Sequence, residues 1–299
     1  MKMLKVVEKR KSVREYKMAD LDEKTLEKVV NLTKELPVID EKIGVELRFL
    51  VDGEDLAKKL EGISGYHGKM IEAPHYFAVY ADKNIESYKY AGYAGEWVVL
   101  NAGKLDLGTC WVESGDSAKA KEIVGYNTDK ELVAFIAIGW PSKDTNLSSI
   151  YSASDINSMS SLTDRGYPNV KTGLGDEKES PRMAITEFVF LKEWDKTLEY
   201  DELNKRGLDE AFYYMRLAPS WGNRQPWRFI LDGEKIVLAV KDDAALNEQV
   251  ENIDAGIAML YFEVAMHDLG IPGSWKLDAI VKDSYNVPED YFVVGYYSM

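Results

Sequence analysis

Two short segments concentrate the side chains best suited to holding a charged, planar ligand. The first reads Glu8-Lys9-Arg10-Lys11-Ser12-Val13-Arg14-Glu15-Tyr16. In a turn or extended segment alternate side chains point the same way, so Arg10, Ser12 and Arg14 could converge on one anion. Guanidinium forks suit phosphate oxygens, and the serine adds a donor. The competing reading is a solvated basic face. The second segment runs Ala218-Pro219-Ser220-Trp221-Gly222-Asn223-Arg224-Gln225-Pro226-Trp227-Arg228-Phe229. Its Ser, Asn and Gln could hydrogen-bond the polar edge of a heteroaromatic ring, with Trp221 giving apolar contact. The alternative is a turn whose tryptophans pack into the core.

Other candidate chemistry is thin. Residues 64–70, SGYHGKM, resemble a P-loop only loosely, because the glycines are misplaced and no Ser or Thr follows the lysine. No G-x-G-x-x-G follows a strand. His67, His75 and His267 are scattered and form no metal-ligand pattern, so no metal is expected. Cys110 is the only cysteine, which excludes an intrachain disulfide and a Cys-rich metal site. Its place at a helix end favours packing over nucleophilic work.

The elements that must position these residues occur twice. Arg48-Phe49-Leu50-Val51-Asp52-Gly53-Glu54 matches Arg228-Phe229-Ile230-Leu231-Asp232-Gly233-Glu234 at five of seven positions. Both read as strands running up to a turn-forming Asp-Gly. A helical pattern precedes each and ends towards a proline: Leu26, Val29, Val30, Thr33 and Pro37 in one, Leu208, Ala211, Phe212, Met215 and Pro219 in the other. Residues 90–111 then align without a gap to 254–275, sharing Ala91/Ala255, Gly92/Gly256, Ala94/Ala258, Leu105/Leu269 and Trp111/Trp275. Final strands are expected near 132–140 and 291–298. Helix, strand, helix, strand recur in one order, which points to duplication, and a duplicated chain commonly imitates a twofold dimer. The expected organisation is a first half at 1–143, a linker or lid at 144–181 and a second half at 182–299.

Composition sets outer bounds. The chain has 299 residues, is 45% hydrophobic and carries a net charge of −14 from 37 basic and 51 acidic side chains. That balance argues against non-specific nucleic-acid binding and against an anionic membrane surface. The N-terminus MKMLKVVEKRKS lacks a signal-peptide apolar region, and no run reaches the roughly 18 apolar residues of a spanning helix. The cytoplasm is the default location.

Taken together, these segments resemble the FMN-dependent nitroreductase family. That family opens with an R-x-S-x-R phosphate clamp and carries a P-S-S-x-N-x-Q-P-W loop, here PSWGNRQPW with Trp221 in place of the second serine. His67-Gly68-Lys69-Met70-Ile71-Glu72-Ala73-Pro74 is similar to the segment that places a lysine at the flavin. VLNAGKLDLGTCWVES is similar to the family's helix and turn, and Ile138-Gly139-Trp140-Pro141 to the strand that follows.

The resemblance implies an α+β fold: two tandem halves, each a mostly antiparallel sheet flanked by helices, packed as a pseudo-dimer. It implies FMN as cofactor, NAD(P)H as co-substrate and a nitroaromatic, quinone or similar small-molecule acceptor. Arg10, Lys11, Ser12 and Arg14 would hold the phosphate and ribityl chain, with Arg182 as a late arginine reaching the phosphate. Pro219, Ser220, Trp221 and Asn223 would meet the isoalloxazine ring. Trp111, Val112 and Glu113 would lie beside its reactive nitrogen, and Lys69 at its pyrimidine edge, stabilising negative charge on reduction. No catalytic side chain is required. Clamp and lysine occur only in the first half and the loop only in the second: Pro37-Val38-Ile39-Asp40-Glu41 has no loop match, and Tyr200–Arg206 has no clamp. One FMN per chain follows, and a monomer is compatible with the duplication. A non-catalytic flavin or small-ligand binder on the same fold is the alternative.

Overall fold

The computed structural model describes residues 2–37, 44–142, 182–277 and 282–299. They form two compact units that interleave along the chain. The C-terminal unit gathers Met1–Lys9, Tyr88–Glu96 and Arg182–Met299. The N-terminal unit holds Arg10–Ser87 and the chain from Trp97. The expected linker at 144–181 lies outside the described residues, as do Val38–Glu41 of the first half's loop position.

The N-terminal unit is built on a four-stranded antiparallel sheet of β1 (Val45–Leu50), β2 (His75–Ala81), β3 (Gly108–Glu113) and β4 (Glu131–Gly139), in the order β1-β2-β4-β3. Every residue of β2 is buried, which accounts for its unbroken apolar run HYFAVYA. On one face Tyr76, Ala78 and Phe135 pack with Ala57 and Leu60 of α3 (Gly53–Leu60) and Ala120 of α5 (Ser117–Val124). Helix α2 (Glu23–Leu32) starts where Asp22 accepts a hydrogen bond from the Thr25 N–H, and it stops before Pro37.

The C-terminal unit repeats that strand order. β6 (Trp227–Asp232), β7 (Lys235–Lys241), β8 (Ser274–Lys276) and β9 (Tyr291–Ser298) lie as β6-β7-β9-β8, and the short β5 (Val189–Leu191) adds in parallel beside β6. The irregularities also correspond: β2 slips against β4 between Val79 and Tyr80, and β7 against β9 between Leu238 and Ala239. The N-terminal sheet therefore has four strands and the C-terminal sheet five, where the alternating helix–strand reading counted two in each half. Helices α6 (Ile185–Phe188), α7 (Tyr200–Lys205) and α8 (Asp209–Met215) precede β6, and α9 (Glu248–Asp268) links β7 to β8. Phe262 of α9 sits in an aromatic cluster, with ring centroids 5.1 Å from Phe212, 5.4 Å from Phe229 and 5.3 Å from Tyr297.

The aligned glycines meet across two helices. α4 (Ile85–Gly103) contributes Tyr88–Glu96 to the C-terminal unit, where it packs on α9. A Cβ on Gly92 would overlap the Ile253 carbonyl oxygen, and a Cβ on Gly256 would overlap that of Lys89. Each glycine thus touches the residue three before the other. A reciprocal contact of this kind is what a twofold interface imposes.

Candidate functional site

The clamp segment and the loop that carries Lys69 both meet β3, the strand that holds Trp111, Val112 and Glu113. The clamp runs along the open edge of that strand: Ser12 bridges Thr109 in parallel, and the Val13 N–H donates to the Thr109 carbonyl at 2.9 Å. Gly108 is required there, since a Cβ would overlap Val13. The Tyr16 hydroxyl donates to the Val13 carbonyl at 2.6 Å, and burial pushes its pKa well above the usual phenol value. It stays neutral and acts as a pin. Both arginines reach Ser12, one at its hydroxyl and the other at its backbone carbonyl. Arg10 Nη1 lies 3.4 Å from Ser12 Oγ, and Arg14 Nη1 lies 3.4 Å from the Ser12 carbonyl. Arg10 Nε is buried and unpartnered, and no ion pair to Arg10 occurs among the described residues. Lys11 is exposed.

Lys69 reaches the same strand through a glycine-rich loop. The Gly65 N–H donates to the Glu113 carbonyl at 2.8 Å, and the Gly62 N–H to that of Gly68 at 2.7 Å. Gly65 adopts φ +89°, and a Cβ on it would overlap the Lys69 carbonyl. Ser64, fully buried, donates to the Ser114 carbonyl at 2.6 Å. The Gly65 hydrogen bond ties the loop that carries Lys69 to the Glu113 end of β3. Trp111 and Glu113 are half-buried and Val112 is buried.

In the C-terminal unit the Pro219–Asn223 loop is preset by hydrogen bonds. Gly222, Asn223 and Gln225 take left-handed φ values of 54°, 54° and 51°. Such a conformation is costly for Gln and persists only where the surroundings impose it. Ser220 Oγ accepts from the Gln225 N–H at 2.9 Å, and Gln225 Oε1 accepts from the Met183 N–H at 2.9 Å. Gln225 is therefore a buried staple, where its type had suggested a ligand contact. The tryptophans divide between the two sequence readings: Trp227 is fully buried in the core, whereas Trp221 is half-buried with the Arg224 guanidinium 4.8 Å above its ring. Arg182 lies at this loop. Its Nη1 donates to the Ala218 carbonyl at 2.7 Å and to Asn223 Oδ1 at 3.0 Å.

Sequence reasoning missed Asp254. Both of its carboxyl oxygens accept from the Trp221 N–H, at 3.1 and 3.0 Å. It is 4% exposed, and burial, followed by the repulsion of Glu251, pushes its pKa up to about 8, against the Trp221 hydrogen bond that lowers it. Burial likewise raises Glu251 to about 7. The available signal was an acid standing in the apolar run DAGIAMLYF.

The donor set fits a phosphate monoester. Two guanidinium groups converge on one serine, and a buried, unpartnered N–H remains on Arg10. No group of side chains that could hold a metal occurs among the described residues, and no described helix is long and apolar enough to cross a membrane.

A family model described as "Putative TM nitroreductase" matches residues 2–266. A crystal structure from Thermotoga maritima described as a "putative nitroreductase" is similar over 100% of this chain and 93% of that one, with a TM-score of 0.56 at 17% identity. An FMN-dependent nitroreductase from Clostridium difficile matches 46% of this chain and 87% of its own at 21% identity and a TM-score of 0.41. A nitroreductase with bound FMN from Bacteroides fragilis matches 48% and 90% at 16% identity and a TM-score of 0.42. No curated protein matches the chain.

Proposed function

The chain belongs to the family described as "Putative TM nitroreductase", whose membership supports oxidoreduction, and from that premise we propose that it is an FMN-dependent oxidoreductase. NAD(P)H would give a hydride, and a nitroaromatic, quinone or similar electron-poor acceptor would take it. The observation that carries this reading is the clamp: Arg10 and Arg14 converging on Ser12 beside β3, with the Arg10 Nε buried and unpartnered.

The roles proposed rest on the family likeness. Arg10, Lys11, Ser12 and Arg14 bind the phosphate end of FMN. Lys69 supplies positive charge at the pyrimidine edge, and Trp111–Glu113 offer backbone beside the ring. Pro219, Ser220, Trp221 and Asn223 contribute ring contacts, and Arg182 supports that loop through Asn223. When bound, the flavin itself supplies hydride acceptance and donation; these side chains bind it and set the electrostatics around it. We further propose one FMN per chain, a duplicated origin for the two halves and a cytoplasmic location, with a small-molecule electron acceptor as partner; the internal duplication is compatible with a monomer.

The test is to saturate the purified protein with FMN, desalt it, count the flavin released and add NADH or NADPH under anaerobic conditions. One FMN per chain, bleached by either nucleotide, is the expected result. Binding without bleaching by either would make the chain a flavin binder. Absence of binding would sink the cofactor assignment.

A further inference from the structure

We infer that Asp254 is a positioning residue for the Trp221–Asn223 turn, holding its backbone against α9 so that the Trp221 indole presents a fixed wall to a flat heteroaromatic ligand. The ligand half of this statement rests on the functional reading above; the positioning half does not.

The geometry is specific. Ser220 is extended, with φ −147° and ψ 162°, and the chain then turns sharply through left-handed Gly222 and Asn223. A turn with two consecutive left-handed residues needs anchors at both ends. Arg182 supplies the downstream anchor at Asn223. Upstream, the Trp221 N–H has both oxygens of Asp254, at 3.1 and 3.0 Å. Asp254 lies on the second turn of a 21-residue helix, followed by Ala255, Gly256, Ile257 and Ala258, all buried. Nothing in that run calls for an acid. Placing a carboxyl there costs desolvation, and an apolar residue of similar size would serve the packing better. Among the described residues its carboxyl bonds only to the turn, so the turn accounts for its presence.

The groups facing it are Glu251 on α9, Arg224 in the loop and Glu96 from the Tyr88–Glu96 segment of α4. Burial and the two acids push its pKa up to about 8, against the Trp221 hydrogen bond and the guanidinium, which lower it, so the acid form that offers a carbonyl acceptor is favoured below that pH. An amide offers the same acceptor, and this makes Asn the discriminating replacement.

The experiment is amide hydrogen exchange at Trp221, read alongside FMN affinity in the full chain, for wild type, Asp254→Ala and Asp254→Asn. In Asp254→Ala, exchange at Trp221 should accelerate about tenfold, while core amides such as Phe229 and Phe262 keep their rates, and FMN should bind about tenfold more weakly. Asp254→Asn should return both to within about threefold of wild type. Unchanged Trp221 exchange in a folded Asp254→Ala protein overturns the inference. So does acceleration spread evenly over the unit, or failure of Asp254→Asn to rescue the local rate. If wild type binds no FMN, the functional reading fails, while the exchange rates still decide the positioning role.

Discussion

The connection from β1 to β2 takes residues 51–74, whereas that from β6 to β7 takes only Gly233 and Glu234, although both begin with the same Arg-Phe-ϕ-ϕ-Asp-Gly-Glu motif (ϕ apolar). In the C-terminal unit Asp232 and Lys235 pair directly, and Gly233, at φ +62° with open space around it, closes a hairpin. In the N-terminal unit β1 stops at Leu50. Asp52 takes the left-handed conformation and Gly53 opens helix α3, where its N–H donates to the Pro74 carbonyl at 2.8 Å. A Cβ on Gly53 would overlap the Ala73 and Pro74 backbone. One motif therefore serves two connections. The longer one carries the Lys69 loop, and the shorter one leaves its sheet without a counterpart. The specialisation is mirrored upstream of each sheet. The clamp lies on the edge of β3, while β8 is a three-residue strand; the preset Pro219–Asn223 loop enters β6.

The reciprocal glycine contact is the feature the halves share most closely, and breaking it should have the largest effect. Gly256→Leu and Gly92→Leu each drive a side chain into the facing helix backbone, so each should destabilise by about 3 kcal/mol or more in denaturant unfolding. Similar losses would uphold the reciprocity, and tolerance of one would break it. Next come the arginines. Arg14→Ala removes a charge-assisted contact to phosphate and should weaken FMN binding roughly 10- to 100-fold by fluorescence titration. Arg206→Ala, at the corresponding start of the second half, should change it little, because Arg206 is engaged with Glu202 at 2.9 Å. Equal losses would mean that the halves are not specialised as described.

The shared Asp-Gly gives a matched pair of smaller effects. Gly53→Ala meets backbone and should cost about 1–3 kcal/mol, whereas Gly233→Ala incurs only the left-handed conformation, about 1 kcal/mol. The reverse order in thermal unfolding would overturn the account of the two turns. Asp254 adds a pH dependence confined to the C-terminal unit. Its folded pKa of about 8 lies above that of an ordinary aspartate, so the folded state holds more protons than the unfolded one across that window. Its contribution to stability is thus fully present below about pH 4 and is lost as pH rises to about 8. The melting temperature should fall by a few degrees over that range, and Asp254→Asn should flatten the decline. Last, Tyr16→Phe deletes the hydroxyl that pins the clamp and should cost about 1 kcal/mol in denaturant unfolding.

Much of the architecture was legible along the chain, because it depends on short-range pattern. The apolar periodicities at Leu26–Thr33 and Leu208–Met215 correspond to α2 and α8, and the long runs to α4 and α9. The alternate placing of Arg10, Ser12 and Arg14 is a local property of extended backbone, whereas the Arg14 contact to the Ser12 carbonyl is what the fold adds. The aligned Gly92 and Gly256 signalled repetition along the chain, while their contact across the two helices is legible only in the fold.

Other assignments depend on what packs against a residue, and no local pattern carries that. Sequence alone left Trp221 and Trp227 open between ligand and core; Trp227, paired with Val240 across β6 and β7, is fully buried, while the turn leaves Trp221 half-buried. Gln225 and Asn223 share polar chemistry, yet only tertiary contact with Met183 makes the glutamine a staple. Arg182 meets Asn223 across 41 positions of sequence and Trp221 meets Asp254 across 33. The sequence by itself determined which segments are helix or strand and where cationic donors cluster, since backbone propensity and side-chain alternation act between near neighbours. The tertiary structure decided the direction taken by the two Asp-Gly turns, the burial that raises the pKa of Asp254 and the hydrogen-bond partners within the Pro219–Gln225 loop. Those outcomes come from steric overlap and desolvation, which arise only when distant parts of the chain are brought into contact.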